Sequence, residues 1–343
     1  MTDLSIARLL AEYPYTAAYF EQNKLDVSGY EEMTFPQYLE HFTQDELEDL
    51  AIDREKLLSD LEVFIAQMQE FLGLGASNQV RSLTILPGHD KSGGAEGFAQ
   101  LTVRASEIVS IVGPTGSGKS RLLADIEWAA QNDTPTGRSI LINEEVPDNK
   151  WRFSSNNKLV AQLSQNMNFV MDLTVREFLE LHAQSRLRED PDAVIDRIIE
   201  EANKLAGEQF RMDTPVTSLS GGQSRALMIA DTAILSSSPI VLIDEIENAG
   251  IDRKKALELL VAEDKIVLMA THDPLLALIA DKRIVIKNGG VSTVIETSPE
   301  EKALLEELEK MDAVVQHARH RLRSGASLSA ADLSRENPEA KSN

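Results

Sequence analysis

Apolar positions recur along this chain with more than one rhythm. Over residues 1–75 the spacing is helical. Leu9, Leu10, Ala17, Ala18 and Phe20 lie around Tyr13-Pro14, a pattern that predicts two short helices with a break between them. Thr43 with Glu46 has capping-box spacing, and Leu50, Leu57, Leu61, Phe64, Met68 and Phe71 then trace one apolar stripe, which predicts a longer helix stopped at Gly73-Leu74-Gly75. Pro87–Gly97 holds four glycines and a proline and reads as a loop. Beyond it the rhythm becomes β then α. Short β-branched runs stand at Glu107–Val112, Ser139–Ile142, Ile240–Ile243, Ile266–Met269 and Arg283–Ile286, with helical stretches between several of them. That alternation predicts an α/β domain with a largely parallel sheet and helices on its faces.

Between Met171 and Gly207 no strand run occurs. Thr174 with Glu177 opens one predicted helix and Asp190-Pro191 the next, as a helical insertion into the α/β domain. Ser298-Pro299-Glu300-Glu301 opens a final helix that is acidic at its start and basic at its end (His317, Arg319, His320, Arg321, Arg323), as the helix dipole favours. A metal pair at His317 and His320 is the alternative. The predicted organisation is a small all-α domain at 1–75, a linker with an edge strand and loop at 76–98, the α/β domain at 99–297 with its helical part near 166–218, a helix at 298–323, and a disordered tail at 324–343.

Composition narrows the function. Apolar residues are 42% of 343, enough for a packed core. No apolar run approaches the ~20 residues that span a bilayer, and the N-terminus lacks the features of a secretory signal, so a cytoplasmic location is expected. Any membrane role then requires a separate partner chain. There is no cysteine, which excludes disulfides, a thiol nucleophile and Cys-ligated metal. Acidic residues number 56 against 34 Lys and Arg, a formal net charge of −22 that opposes nucleic-acid binding.

The densest chemistry lies after the strand-like IVSIV. Gly113-Pro114-Thr115-Gly116-Ser117-Gly118-Lys119-Ser120 has P-loop spacing and runs into a helix. Its glycines let backbone N–H groups turn inward around phosphate oxygens, and the helix N-terminus adds positive potential. Lys119 would neutralise the β- and γ-phosphates, and the Ser120 hydroxyl would ligate Mg²⁺. Alone, the motif indicates a nucleoside triphosphate and no more. Three further signals come after it in order: Leu219-Ser220-Gly221-Gly222-Gln223 before a helical run, Ile240-Val241-Leu242-Ile243-Asp244-Glu245 ending a buried-strand run, and Ala270-Thr271-His272-Asp273 after another.

In this combination, over about Val80 to Glu296, the chain resembles the ATP-binding-cassette (ABC) family. The resemblance implies a P-loop fold of ABC type that binds Mg²⁺ and ATP and hydrolyses ATP. Asp244 would hold the Mg²⁺ shell, Glu245 would act as general base, and His272 would contact the γ-phosphate. Gln165 stands where the family's glutamine reaches Mg²⁺. Ser220, Gly221, Gly222 and Gln223 would face the γ-phosphate held by another copy, so the implied unit is a head-to-tail homodimer closed over ATP. Three features depart from the family pattern. The segment Ile246–Asp252 is one residue longer than usual and lacks its proline, with Asp252 the candidate cross-dimer aspartate. Ala230-Asp231-Thr232 replaces Ala-Arg-Ala, while Arg225 is retained. No adenine-stacking aromatic is evident, Phe98 being the nearest and better read as packed.

Residues 1–75 weakly resemble small helical modules found near iron–sulfur and redox proteins, with Val27-Ser28 in place of the expected cysteine. A partner-docking domain and a packing extension both stay open. The helical extension and unusual loop favour a soluble ATPase that remodels a protein client. The alternative is the ATP-binding subunit of a membrane transporter with separate transmembrane subunits.

Overall fold

The computed structural model describes residues 4–42, 53–71, 80–148, 151–152, 158–164, 169–186, 190–245 and 250–333. Thr43–Glu46, Gly73–Gly75, Gln165 and residues 246–249 and 334–343 lie outside them. The chain divides into two compact units, Met1–Gln79 and Val80–Asn343.

The first unit is helical: α1 (Ile6–Glu12), α2 (Thr16–Gln22), α3 (Phe35–Glu40) and α4 (Arg54–Phe71). Tyr13-Pro14 does separate two short helices. Ile6, Leu9, Phe20, Phe35, Leu39, Leu61 and Ile65 are buried together. The Tyr19 hydroxyl donates to the Leu57 carbonyl at 2.8 Å, which ties α2 to α4. Helix α3 has no counterpart in the apolar rhythm, yet Thr34 and Gln37 cap it reciprocally with Pro36 in the first turn.

The second unit holds two sheets. Strands β1 (Ser82–Leu86), β2 (Leu101–Arg104) and β4 (Ser139–Ile142) form an antiparallel sheet in the order β2-β1-β4. The expected edge strand of residues 76–98 is thus the middle one, because Thr84 and its neighbours pair on both sides. The six-stranded sheet runs β5 (Val160–Leu163), β6 (Ile240–Asp244), β7 (Ile266–Ala270), β3 (Ile108–Val112), β8 (Lys282–Lys287) and β9 (Gly290–Glu296). All its pairings are parallel except β8 with β9. Strands β6 and β7 are covered on both faces, which is why they read as unbroken apolar runs. Helix α5 (Lys119–Glu127) comes directly after the P-loop.

A helical layer forms from α6 (Val175–Ser185), α7 (Pro191–Leu205) and α8 (Gly221–Ile234). Thr174 with Glu177, and Asp190 with Pro191, open α6 and α7 as the sequence predicts. Val175, Leu179 and Ala183 pack with Ile195, Ile198, Ala202 and Leu205 beside Ala226, Leu227 and Ala230 of α8. The remaining helices are α9 (Arg253–Ala262), α10 (Pro274–Ile279), α11 (Pro299–Ala303) and α12 (Leu305–Arg323). Residues 324–333, expected as part of a disordered tail, instead turn into a short 3₁₀ helix. Asp332 accepts from the Ser329 amide and hydroxyl, both at 2.7 Å, and faces His317 at 3.6 Å. His317 is thereby engaged by a carboxylate.

Candidate functional site

Sheet register determines where the motifs meet. Ile111 of β3 and Asp244 of β6 both pair with Ala270 of β7, so three strands end level. The segments leaving these three strands therefore lie at one edge, the carboxyl end where parallel sheets bind ligands. From β3 comes the P-loop, from β6 Glu245, from β7 Thr271 and His272.

The P-loop is held by its glycines. Gly113 has φ +153°, and a Cβ there would sit 2.5 Å from the Ile286 carbonyl. Gly118, φ +113°, is the N-cap of α5; a Cβ would meet Gly289 Cα at 2.9 Å. The Ser117 amide donates to the Pro114 carbonyl at 3.1 Å, while the Gly289 amide donates to the Ser117 carbonyl at 2.7 Å. The hydroxyl of Ser117 is buried and, among the described residues, has no hydrogen-bond partner.

Lys119 is 7% exposed, deep for an ammonium. Its Nζ donates to the carbonyls of Gly113 at 2.9 Å and Pro114 at 3.4 Å, and contacts His272 Nε2 at 2.9 Å. An ammonium has no lone pair, so Nε2 accepts and the ring proton sits on Nδ1. His272 Nε2 lies 3.8 Å from Glu245 Oε1, and both side chains are open to water. Glu245 has φ +54°, a left-handed conformation that costs a non-glycine residue about 1 kcal/mol or more. Its amide donates to the Ala270 carbonyl at 3.1 Å, which anchors this turn to β7. A lysine, a histidine and a carboxylate from three chain segments thus stand in sequence at the strand ends.

Ser220–Gln223 opens α8 in the helical layer, outside that row. The Ser220 hydroxyl accepts from the Gln223 amide at 3.3 Å, and Gln223 Oε1 accepts from the Ser220 amide at 2.9 Å. The Gln223 side chain is therefore engaged within its own chain, whereas Ser220 and Gly221 are exposed. Asp252, the candidate cross-dimer residue, caps α9 by accepting from the Lys255 amide at 3.1 Å. Asp231, where the usual pattern has arginine, accepts from or pairs with His182 Nδ1 at 2.8 Å and so links α8 to α6. Phe98 is packed against the core around β1 and β2.

Sequence reasoning misses one cluster entirely. Arg138 is fully buried between Glu96, at 2.6 Å, and Asp125 of α5, at 2.7 Å. Burial lowers the affinity of the guanidinium for its proton, and the two carboxylates more than offset it, so its pKa is held above the ordinary value. Arg138 Nη2 also donates to the Gly289 carbonyl at 3.2 Å. Gly289 is the residue whose amide holds Ser117, so this buried triad braces the turn behind the P-loop to the P-loop's own helix. Two glutamate oxygens extend it, accepting from the Gly88 amide at 2.8 Å and from the Val291 amide at 2.5 Å.

Comparison with known proteins identifies the family. The ABC transporter family model matches residues 98–248. An uncharacterized ABC transporter ATP-binding protein of Methanocaldococcus jannaschii is 50% identical over 258 residues, covering 75% of this chain and 98% of that one. A thiamine import ATP-binding protein of Haemophilus influenzae is 32% identical, covering 56% of this chain and 88% of its own length. Among solved structures, an ATP-binding subunit of an ABC transporter is similar with TM-score 0.49 and 20% identity, over 67% of this chain and 98% of that chain. With 50% identity over 258 residues to a relative matched along nearly its whole length, the chain belongs to the ATP-binding-cassette family and is an ATP hydrolase.

Proposed function

We propose that this chain is the ATP-binding subunit of an ABC transporter, working as a head-to-tail dimer against separately encoded membrane-spanning subunits. The ordering of the two roles weighed from sequence is thereby reversed. The change is supported by relatives matched over most of their lengths that carry transporter names. Among the described residues no helix is long and apolar enough to cross a membrane, in keeping with membrane-spanning parts carried by other chains.

The observation that carries the catalytic part is the contiguous Lys119–His272–Glu245 arrangement at the strand ends. In this reading the P-loop amides and Lys119 Nζ take the triphosphate, and the ammonium exchanges its carbonyl contacts for phosphate oxygens. Glu245 Oε1 takes the proton of the attacking water. His272, released from Lys119, holds the water and γ-phosphate in line. Mg²⁺ fits the donors present: the Ser120 hydroxyl and the Asp244 carboxylate are hard oxygens, and this ion prefers one or two such ligands with phosphates and water completing its shell. When bound, it would neutralise charge developing on the phosphates. Gln165, outside the described residues, is the third proposed ligand. Ser220, Gly221 and Gly222, at the exposed N-terminus of α8, complete the site of the second copy.

The transporter role is tested with Glu245→Gln chain trapped in ATP and cross-linked in native membranes. A cross-linked partner with several apolar spans is the expected result. Cross-links confined to water-soluble proteins would return the client reading to first place.

A further inference from the structure

Leu304, Leu308, Met311, Val315, Ala318 and Leu322 step along α11–α12 by four, three, four, three and four residues, a heptad seam. At 100° per residue they form a stripe about 80° wide. Away from the seam the helix packs on its own unit: His317 is buried and Lys254 holds Glu309 at 2.9 Å, while on one flank of the seam Arg253 holds Asp312 at 2.8 Å. On the seam Leu304, Met311, Val315 and Leu322 are 55, 48, 46 and 58% exposed. A line of large apolar side chains open to water marks an interaction surface.

We propose that this seam pairs antiparallel with the same seam of a second copy of this chain, at a contact separate from the ATP-binding face. Charge selects the occupant and its direction. Before Ala313 stand Glu300, Glu301, Glu306, Glu307, Glu309 and Asp312 with only Lys302 and Lys310 against them, a net charge of −4, and after it stand Arg319, Arg321 and Arg323, a net charge of +3. Only an antiparallel copy sets each acidic half beside a basic one. Turned about Ala313, Leu304 layers on Leu322 of the second copy, Leu308 on its Ala318, and Met311 on its Val315. Glu307, 3.0 Å from Lys310, and Arg321, 3.6 Å from Asp332, share one flank and come together across the pair, whereas a parallel pair sets Glu307 beside Asp312. None of the proposed nucleotide-binding residues lies on this segment, so the contact forms without ATP. It keeps two copies together through the open phase of the cycle, when a net charge of −22 on each would otherwise drive them apart.

The test uses the full chain stripped of nucleotide and Mg²⁺. Sedimentation is expected to show a dimer at micromolar concentration. Met311→Glu combined with Val315→Glu is expected to weaken self-association at least tenfold while circular dichroism and ATP binding are unchanged. Because the chain has no cysteine, an equimolar mixture of Leu304→Cys and Leu322→Cys chains reports direction without depending on that variant's fold. Mild oxidation is expected to give mainly the mixed disulfide. A monomeric nucleotide-free chain overturns the proposal, whether the seam is then covered by the N-terminal unit, residues 334–343 or another protein. A dimer undiminished by the two glutamates, or disulfides only between like chains, overturns it equally. Intact ATP binding throughout separates any such failure from failure of the catalytic reading.

Discussion

Glu245 sits in a backbone conformation that L-residues avoid, one residue past the end of β6 and 3.8 Å from His272. Such strain is held only where neighbours fix it, here by the hydrogen bond that the Glu245 amide donates to the Ala270 carbonyl. Glu245→Gln keeps the shape and removes the basic oxygen. ATP binding should persist while turnover falls by at least about a hundredfold, as expected for loss of a general base; near-normal turnover in a kinetic assay would remove Glu245 from that role. Lys119→Ala should weaken ATP binding strongly, measured by calorimetry, because its buried ammonium lies against the P-loop carbonyls of Gly113 and Pro114. The residues of this site were legible in the sequence since each is announced locally, by a strand running into a loop of fixed spacing. Arg138, Glu96 and Asp125 were not. They are single charges in polar stretches, separated by 42 and 13 positions along the chain, and nothing local distinguishes them from solvated ones.

Among elements, that buried triad couples α5, the loop before β2 and the β8–β9 turn to one guanidinium. Arg138→Met would leave two carboxylates buried without their cation, at a cost of about 3–5 kcal/mol. Urea unfolding should show that loss together with weaker ATP binding, since the Gly289 turn no longer bears on Ser117. A folded variant with unchanged ATP affinity would confine Arg138 to stability alone. The helical layer was readable from its caps and stripes, both set by neighbours within one or two turns. Strands β2, β5 and β9 were not, because each is short or mixed in polarity and is made a strand by partners far along the chain, and β1 was read as an edge strand although it pairs on both sides. Helix α3, with only six residues, is too short to show a period although its capping box was there to be read. In the N-terminal unit, burial pushes the Tyr15 and Tyr19 phenols up to about 12. Their unfolded value is near 10, so the stability they contribute is full below pH 10 and is lost as pH rises toward 12. An alkaline titration should find these phenols ionising with unfolding of this unit; titration near pH 10 with the fold intact would contradict their burial.

At the scale of the whole molecule, one chain carries both sets of proposed ATP-site residues but on different elements. Lys119, Glu245 and His272 converge at the strand ends, while Ser220 opens a helix in another layer, exposed and already capped within itself. The proposed function joins the two through a second copy. The most direct measurement mixes two inactive chains, Lys119→Ala and Ser220→Arg, at equal concentration and reads Mg²⁺-dependent ATP hydrolysis. Each alone should be inactive. Together, statistical pairing gives mixed dimers with one intact site each, so about a quarter of normal activity should return. A mixture as inactive as its parts, or a fully active Ser220→Arg chain, would contradict the shared site on which the account rests.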